Sequence, residues 1–264
     1  MNDRVTIVIP TRNEIKGMKV IMPRIKPEWY DQLIIVDSGS TDGTVEYAKE
    51  HRYEVSLPRR AGLRKEMIEN FNNVKGDIII TFSPDGNSIP ELIPALVDKI
   101  REGYDMVIVS RYLNGARSYD DTFLTGIGNK FFTVLIGALF GFKYTDAMVM
   151  FRGYRREAVE RLGILTPRSE WYEKYIGRYV SWEPQLSIRC AKNGLKIAEV
   201  PGDEPPRVGE SKKGMLPASR INHFKTGFAC LYLVFDELFR ERHTKDSGSR
   251  DEGKTQDQRK EAMR

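Results

Sequence analysis

Short apolar runs alternate with stretches of helical periodicity along most of the chain. The runs are rich in Val and Ile, and each is closed by Pro, Ser or Asp: VTIVIP, LIIVDS, DIIITFS and DMVIVSR. Runs that are apolar on both faces are typical of central strands in a parallel sheet that helices cover on both sides. The pattern therefore predicts an α/β fold built from βαβ units, with one more strand at IAEVP.

The segments between these runs have the spacing of helices. The predicted helices cover residues 14–22, 43–51, 61–74 and 90–101. Asp42 is placed to cap the helix that begins at Gly43, and Pro90 followed by Glu91 forms a favoured first helical turn. Most of the helices therefore start close to the polar ends of the strands.

The pattern changes after Thr122, where the run FLTGIGNKFFTVLIGALFGF is long enough for an apolar helix. A second helix is predicted over 219–240, with aromatic residues along one side and basic residues at both ends. The chain beyond Glu241 is nearly all polar, and we expect it to be disordered. The sequence therefore predicts three regions, which are an α/β domain over 1–215, an amphipathic helix over 216–241 and a polar tail over 242–264.

Composition excludes several classes of protein. The net charge of +5 is the small difference between 42 basic and 37 acidic residues, and both signs are interspersed, so we predict no nucleic-acid partner. Cys190 and Cys230 lie in apolar or helical contexts, which fits reduced thiols in the cytosol. Because the amino terminus lacks signal-peptide zones and no uninterrupted apolar run reaches about 18 residues, we expect a cytoplasmic protein that does not span a membrane.

Polar residues cluster where three of the predicted strands end. In open α/β sheets ligands bind outside the carboxyl ends of the strands, so these residues are the first candidates for a site. They are, in chain order, Pro10, Thr11, Arg12, Asn13 and Glu14; Asp37, Ser38, Gly39, Ser40, Thr41, Asp42 and Gly43; and Ser83, Pro84, Asp85, Gly86 and Asn87. We expect the three strand ends to converge on one crevice.

Two of these carboxylates fit defined roles. Asp37 ends the second strand, where an acidic residue can accept hydrogen bonds from ribose hydroxyls or from a base N–H. The alternative is that residues 38–44 form only a capped turn before a helix. Asp85 and Asn87 can present oxygens to one ion, which is the ligand type that Mg²⁺ or Mn²⁺ prefers, although this triplet alone does not establish a metal site.

The chain contains, in this order, IVIPTRNE, VDSGSTDGT, GDIIITFSPDGNSIPE, VSRY, TDAMVMFRGYRRE, EVP and RVGESK. This succession covers about residues 4–213 and resembles glycosyltransferase family 2, most of all its dolichol-phosphate or polyprenyl-phosphate sugar transferases. The resemblance implies a GT-A fold, which is an open, mostly parallel twisted sheet with helices on both faces. It also implies transfer of a sugar from a UDP- or GDP-sugar to a polyprenyl phosphate, with Mg²⁺ or Mn²⁺, at the cytoplasmic face of a membrane.

The resemblance also implies roles for individual residues. The nucleotide-sugar would be bound by Pro10, Thr11, Asn13, Glu14, Asp37, Ser40 and Asp85, and the metal by Asp85 with Asn87. The acceptor phosphate would be bound by Arg111, Arg152, Arg207, Ser211 and Lys212. The catalytic groups would be Asp85, Arg111 and Lys212, and the acceptor side would be lined by Asp146, Phe151 and Arg152.

The chain departs from the family pattern at three places. The D-x-D motif of the family reads S-P-D here, so Ser83 replaces the first carboxylate and the metal would lose one anionic ligand. The paired acidic residues that usually end the second strand read Asp37-Ser38. The arginines often found before the interfacial helix are replaced around Asp121. These differences leave the metal affinity, the donor and the acceptor open.

The chemistry of the transfer indicates which groups are needed. A sugar that separates from a diphosphate leaves negative charge behind, which a metal and Arg or Lys side chains stabilise. A polyprenyl phosphate has a second pKa of about 6, so its oxyanion needs no general base near neutral pH. One in-line displacement with inversion at the anomeric carbon is therefore the simplest mechanism.

Three alternatives follow from the same residues. The helices near 123–142 and 219–240, with basic residues at their flanks, are suited to a bilayer surface, but either can instead be a core helix or an oligomer interface. The acceptor can be a saccharide or another hydroxyl, with Asp146 as the base. The replacement at Ser83 also allows a nucleotide-sugar-binding protein with weak or no catalysis.

Overall fold

The computed structural model describes residues 3–58, 63–166, 168–177, 179–180, 182–208 and 220–241. Its strands are β1 Val5–Thr11, β2 Gln32–Asp37, β3 Glu54–Ser56, β4 Ile78–Thr81, β5 Met106–Ser110, β6 Arg152–Arg155 and β7 Ile197–Pro201. They form one sheet in the order β3-β2-β1-β4-β6-β5-β7. Only β6 among these strands runs antiparallel to its neighbours, so the sheet is mostly parallel, as the sequence predicts.

Helices lie on both faces of the sheet. They are α1 Ile15–Ile21, α2 Thr44–Glu50, α3 Leu63–Asn70, α4 Ile93–Arg101, α5 Phe123–Phe140, α6 Arg156–Arg161, α7 Glu170–Tyr175, α8 Trp182–Lys192 and α9 Arg220–Phe239. The predicted helix at 61–74 ends in a separate 3-10 turn, and the one at 90–101 begins with such a turn at Pro90–Leu92. Pro90 lies at the start of this turn and Pro94 in the first turn of α4. Proline fixes φ at a helical value, and the missing N–H is not needed there because the first N–H groups of a helix have no partner within it.

The strand order reverses direction beside β1. From β1 the chain moves outward through β2 to β3, and it then returns to place β4 on the other side of β1. Thr11 pairs with Asp37 across β1 and β2, and Val8 pairs with Thr81 across β1 and β4. The carboxyl ends of these three strands therefore border one topological switch point, which is where open α/β sheets bind ligands.

Alternate side chains of the central strands pack on opposite faces of the sheet. Ile7 and Ile9 join one apolar cluster, while Val8 and Ile34 join the other, and none of the four is more than 1% exposed. Such burial on both faces explains why the strands read as continuous apolar runs. The predicted double layer of helices is confirmed.

The sequence pattern missed two strands. β3 has only three residues and lies at the sheet edge. β6 reads RGYR, which contains no apolar run, yet Arg152 and Tyr154 are 0% and 1% exposed. Its position between β4 and β5 is set by pairing with strands far away in the chain, which local periodicity does not record.

Two neighbouring helices expose apolar side chains in stripes at helical spacing. We call this surface the apolar face, and its residues are Leu124, Ile127, Phe131 and Val134 on α5 and Phe224, Phe228, Phe235 and Phe239 on α9, all of them more than half exposed. α5 packs against α8 and α9 through its other side, where Phe132, Ile136 and Phe140 are buried. Exposed apolar stripes of this length mark surfaces that contact a partner or a membrane.

By length and composition alone, α5 is apolar enough to cross a bilayer. The sequence prediction missed this, because it considered only uninterrupted apolar runs. Of the residues of α5, 22% are buried inside the protein. Thr122 begins the helix as its N-cap, and its side chain accepts a hydrogen bond from the Thr125 N–H. The helix is thus fixed to the domain at its first turn and along one side.

A buried carboxylate fixes the second half of α9 to the domain. Glu237 is 1% exposed, and its carboxylate pairs with Arg168 and Arg189 and accepts a hydrogen bond from Gln185. Lys192 donates to the main-chain carbonyl of the same glutamate. Because these donors lie on α8 and the segment before α7, they hold α9 in one orientation.

Replacing Glu237 by Ala is expected to lower the free energy of unfolding by about 3–5 kcal/mol, because two buried guanidinium groups lose their counter-charge. Urea unfolding monitored by circular dichroism measures the change. The control is Glu91→Ala, which removes an exposed ion pair with Arg24 and should cost no more than about 1 kcal/mol. Equal losses in the two variants would contradict the anchoring role.

Candidate functional site

The loops after β1 and β2 are joined by hydrogen bonds at the switch point. The Asn13 N–H donates to Ser40 Oγ at 2.7 Å, and the Thr41 N–H donates to Asn13 Oδ1 at 2.8 Å. Asn13 has a φ of 59°, a left-handed conformation that Asn tolerates better than most residues. Two of the three predicted strand ends therefore form one continuous rim.

Asp37 is the buried centre of this rim. Its Oδ2 accepts from Thr11 Oγ1 at 2.9 Å and also from the Ser40 hydroxyl, and its Oδ1 accepts from the N–H groups of Gly39 and Ser40 at 3.0 and 2.8 Å. The carboxylate is 2% exposed. The predicted capped turn is thus present, and the same carboxylate orders the loop that faces the crevice.

Asp42 was predicted to cap a helix beginning at Gly43, but α2 begins at Thr44 with Gly43 as its N-cap, and Asp42 binds the first helical N–H from one residue further back. Its Oδ1 accepts from the Thr44 N–H at 3.0 Å and from the Thr44 hydroxyl, and its Oδ2 accepts from the Ile15 N–H at 3.1 Å. Partial burial opposes the effect, but these hydrogen bonds lower the pKa of Asp42 below its usual value. Thr44 Oγ1 accepts from the Glu14 N–H at 3.0 Å, so α1 and α2 begin from one shared network.

The turn after β4 brings Asp85 and Asn87 to the same crevice. The Asn87 N–H donates to Asp85 Oδ1 at 3.2 Å, and the Val208 N–H donates to the main-chain carbonyl of Asp85 at 2.8 Å. Gly86 has a φ of 94°, and a Cβ there would lie 2.5 Å from the side chain of Val208. Glycine is required at this turn, where backbone from the end of the described segment closes over the acidic residue.

Arg207 supplies a positive charge to this turn. Its guanidinium pairs with Asp85, and its Nε lies 3.0 Å from Asp120 Oδ2. Burial raises the pKa of Asp85 even though the charge of Arg207 opposes that change. Burial of Arg207 works in the other direction, but Asp85 and Asp120 outweigh it and raise the pKa of the guanidinium. The pair therefore places a permanent cation beside the predicted metal ligand.

Arg111 lies at the end of β5 among carboxylates. Its Nε and Nη2 donate to the two oxygens of Asp146 at 2.6 and 3.0 Å, and its Nη1 donates to Glu204 Oε2 at 3.2 Å. Although burial opposes protonation, these two carboxylates raise the pKa of Arg111 above its usual value. Arg111 is 7% exposed, so its charge interacts mainly with the carboxylates around it.

The other residues expected on the acceptor side occupy different surroundings. Arg152 is fully buried, and its guanidinium donates to the main-chain carbonyls of Ala147 and Val149. Phe151 is buried against Phe82 with ring centroids 5.0 Å apart. Arg152 thus supports the segment that carries Asp146, and its hydrogen bonds stay within the protein. Ser211 and Lys212 lie outside the described residues.

Sequence reasoning missed two acidic residues of this site. Glu204 contacts Arg111 and Asn87, and Asp120 contacts Arg207. Both lie in loops without a motif, and these loops meet through contacts between residues far apart in the chain, among them the pairing of Ser118 with Glu204. The charge of the loop D-E-P-P-R was the one available signal.

A mostly parallel sheet with polar strand ends at its switch point is the architecture of open α/β proteins that bind ligands beside the strand ends. Residues 6–163 match the family Glycosyl transferase family 2. This match covers more than half of the chain, and the protein belongs to that family. It is a glycosyltransferase, as the sequence motifs predict.

Relatives of this chain occur in archaea and in bacteria. An uncharacterized protein of Methanocaldococcus jannaschii is 33% identical, over 90% of this chain and 93% of the relative. An undecaprenyl-phosphate 4-deoxy-4-formamido-L-arabinose transferase of Proteus mirabilis is 30% identical over 61% of this chain, which spans about half of that relative. A dolichol-phosphate mannosyltransferase of Pyrococcus furiosus is 33% identical over 43% of this chain and 35% of the relative.

Solved structures share the fold. The glucosyl-3-phosphoglycerate synthase of Mycobacterium tuberculosis, in complex with Mn²⁺, UDP and phosphoglyceric acid, superposes with a TM-score of 0.64 over 93% of this chain and 81% of that chain. The sequence identity is 20%. The protein therefore has the GT-A fold expected from the sequence.

Gly17 on α1 sets the position of the acidic turn. A Cβ at Gly17 would lie 2.3 Å from the main-chain oxygen of Pro84, so Gly17→Ala is expected to displace the turn and to lower the free energy of unfolding by about 1–3 kcal/mol. Urea unfolding measures the loss. Gly128→Ala on α5 is the control, since a Cβ there meets no atom within 4 Å. Similar losses in both variants would exclude this role for Gly17.

Proposed function

We propose that this protein transfers a sugar from a UDP- or GDP-sugar to a polyprenyl phosphate, with inversion at the anomeric carbon. The observation that carries the proposal is the acidic turn at the switch point, where buried Asp85 faces the guanidinium of Arg207. A diphosphate with a sugar attached requires such a combination of a metal-binding carboxylate and a fixed cation. The relatives named for undecaprenyl phosphate and dolichol phosphate support the lipid acceptor.

The donor nucleoside lies, in this proposal, along the rim formed by the first two strand ends. Thr11, Asn13 and Ser40 already order one another through Asp37, so the rim is pre-organised for a ligand. Pro10 and Glu14 flank it on β1 and at the start of α1. Because the hydrogen bonds are made within the protein, ordering the loop costs little when the donor binds.

Asp85 and Asn87 would hold the divalent ion. No group of three or more His, Cys, Asp or Glu side chains positioned for a metal occurs among the described residues. Mg²⁺ and similar ions are commonly held by one or two carboxylates together with substrate phosphates, so the single carboxylate fits an ion that arrives with the diphosphate. Mn²⁺ with UDP in the mycobacterial synthase supports this assignment. When bound, the ion neutralises charge on the leaving diphosphate.

The acceptor phosphate would lie between Arg111 and Arg207. Both guanidinium groups are charged at neutral pH, since the ordinary pKa of arginine lies far above that pH, and the carboxylates around them raise it further. Ser211 and Lys212 would complete the phosphate site from the segment that follows Arg207. The acceptor oxyanion is the nucleophile, so no protein base is required.

The apolar face would contact the bilayer that contains the lipid acceptor. Its exposed aromatic residues are suited to the interface between head groups and acyl chains, and the exposed Lys130, Lys143 and Lys225 are suited to anionic head groups. Each such cation contributes roughly 1 kcal/mol near an anionic surface. The enzyme would therefore act as a peripheral protein at the cytoplasmic face of the membrane.

A hydroxyl acceptor is the second candidate function. It is favoured by Asp120 and Asp121, which place negative charge before α5, where an anionic acceptor would need cations. Asp146 is poorly suited to serve as its base, because the residue is fully buried and both its oxygens accept hydrogen bonds from Arg111. A base in this case would have to come from another residue.

The proposal is tested by incubating the protein with a panel of UDP- and GDP-sugars and a short polyprenyl phosphate, with and without Mg²⁺ or Mn²⁺. We expect a metal-dependent glycolipid from one nucleotide class, with inverted configuration by NMR.

Asp85→Ala should reduce the product to background while the protein stays folded. Ser83→Asp, which restores the family's first carboxylate, should lower the metal concentration needed for the half-maximal rate. Product formed only from soluble acceptors would replace the lipid proposal with the second candidate.

Membrane contact is tested by changing two exposed aromatic residues of α9. The double variant Phe224→Ser with Phe228→Ser should bind anionic vesicles at least about tenfold more weakly, because burying each Phe contributes about 1.5–3 kcal/mol. Vesicle co-sedimentation measures the partition coefficient. Leu57→Ser is the control, since Leu57 is 59% exposed and lies outside both helices. Unchanged sedimentation of the double variant would refute bilayer contact through α9.

A further inference from the structure

Glu204 lies between the two halves of the site. Its Oε1 accepts from Asn87 Nδ2 at 3.2 Å, and its Oε2 accepts from Arg111 Nη1 at 3.2 Å. Asn87 belongs to the acidic turn after β4, and Arg111 ends β5. One carboxylate therefore connects the residue beside the proposed metal ligand to the residue proposed for the acceptor phosphate.

The main chain on both sides holds Glu204 in place. Its N–H donates to the carbonyl of Arg117 at 2.9 Å, and its carbonyl accepts from the Tyr119 N–H at 2.8 Å. The Ser118 hydroxyl donates to Oε2, and Ser118 Oγ accepts from the Asp121 N–H at 3.1 Å, just before α5. The side chain is 10% exposed. It therefore cannot turn away from Asn87 and Arg111 without breaking several hydrogen bonds.

The charge of Arg111 does not by itself require this residue. Asp146 already pairs with Arg111 through two hydrogen bonds, and Asp121 lies 4.0 Å from Nη1. A further buried carboxylate carries a desolvation cost that an already paired guanidinium does not repay by charge alone. Glu204 binds Nη1, an edge of the guanidinium that Asp146 does not bind, and it also binds the side-chain amide of Asn87.

We propose that Glu204 is a positioning residue for glycosyl transfer, which aligns Asn87 and Arg111 with each other across the crevice. The inference rests on the proposed function for the roles of those two residues. Misalignment by about 1 Å can reduce a reaction rate by about 100-fold, even when the misplaced groups remain present. The main effect of losing Glu204 is therefore on the rate of transfer, and the nucleoside rim is left intact.

The test compares Glu204→Gln with wild type and with Asp203→Asn. Glu204→Gln keeps the size of the side chain and is expected to lower kcat by 30-fold or more, an effect of the order set by misalignment. UDP or GDP affinity by calorimetry should stay within about threefold, because the rim around Asp37 does not touch Glu204. Asp203 accepts from the Arg117 N–H in the same segment, and its variant should keep the wild-type rate within about twofold.

A second variant separates positioning from stability. If Glu204 acts through Asn87 and Arg111, the rate loss in Glu204→Gln combined with Asn87→Ala should be smaller than the product of the two single losses. Losses that multiply would overturn the proposal, and so would a normal kcat per folded molecule in Glu204→Gln. A fall in thermal stability with an unchanged kcat would show a structural role only, and would equally overturn it.

The acceptor does not need to be the lipid for this test. Hydrolysis of the donor without acceptor gives a second rate that depends on the same acidic turn, so the variants can be ranked even if wild type forms no glycolipid. Failure of the proposed function then appears as a missing lipid product in wild type. Failure of the positioning proposal appears as equal hydrolysis rates in wild type and Glu204→Gln.

Discussion

Burial of both sheet faces is the constraint on which the rest of this structure depends. A strand packed between two helical layers cannot carry free polar side chains along its length, so polar groups are displaced to its ends. Val8, Ile9 and Ile34 are nearly inaccessible along their strands, whereas Asp37 is the last residue of β2 and Asp85 lies in the turn beyond the end of β4. The reversal of strand order beside β1 then brings those ends together. Fold and site are consequences of the same division between apolar strands and polar termini.

The buried charges obey a second requirement, which is local neutralisation. Asp85 faces Arg207, Arg111 faces Asp146 and Glu204, and Glu237 faces Arg168 and Arg189. An isolated charge in these surroundings would cost several kcal/mol, so each cluster holds its loop or helix in one arrangement. Two of these clusters, around Asp85 and around Arg111, lie after the ends of β4 and β5, and they are the groups to which the proposed function assigns the two phosphates.

Much of the fold followed from local pattern. β1, β2, β4 and β5 each form an apolar run with a polar end, and the start of α2 was predicted to within one residue. β6 was not predicted, because RGYR contains no apolar run. Its position is set by pairing with β4 and β5. In the site, the turn around Asp37 was foreseeable because Gly39 and Ser40 follow it directly, but Glu204 was not, since its partners are 93 and 117 positions away. Arg152 has a family motif around it, yet its buried guanidinium supports the backbone.

Because β6 is antiparallel and lies next to β5, the segment between these two strands can vary independently of the other strands. Residues 111–151, with α5 among them, leave the sheet at β5 and re-enter at β6, which is the immediate neighbour of β5. Neighbouring antiparallel strands can be joined by a very short turn, so the length of this excursion is not fixed by the sheet. Insertions or deletions there leave the register of β1, β2 and β4 untouched. The segment between β5 and β6, with α5 and its exposed apolar side chains, can therefore change in length or sequence while the strand ends of β1, β2 and β4 keep their arrangement.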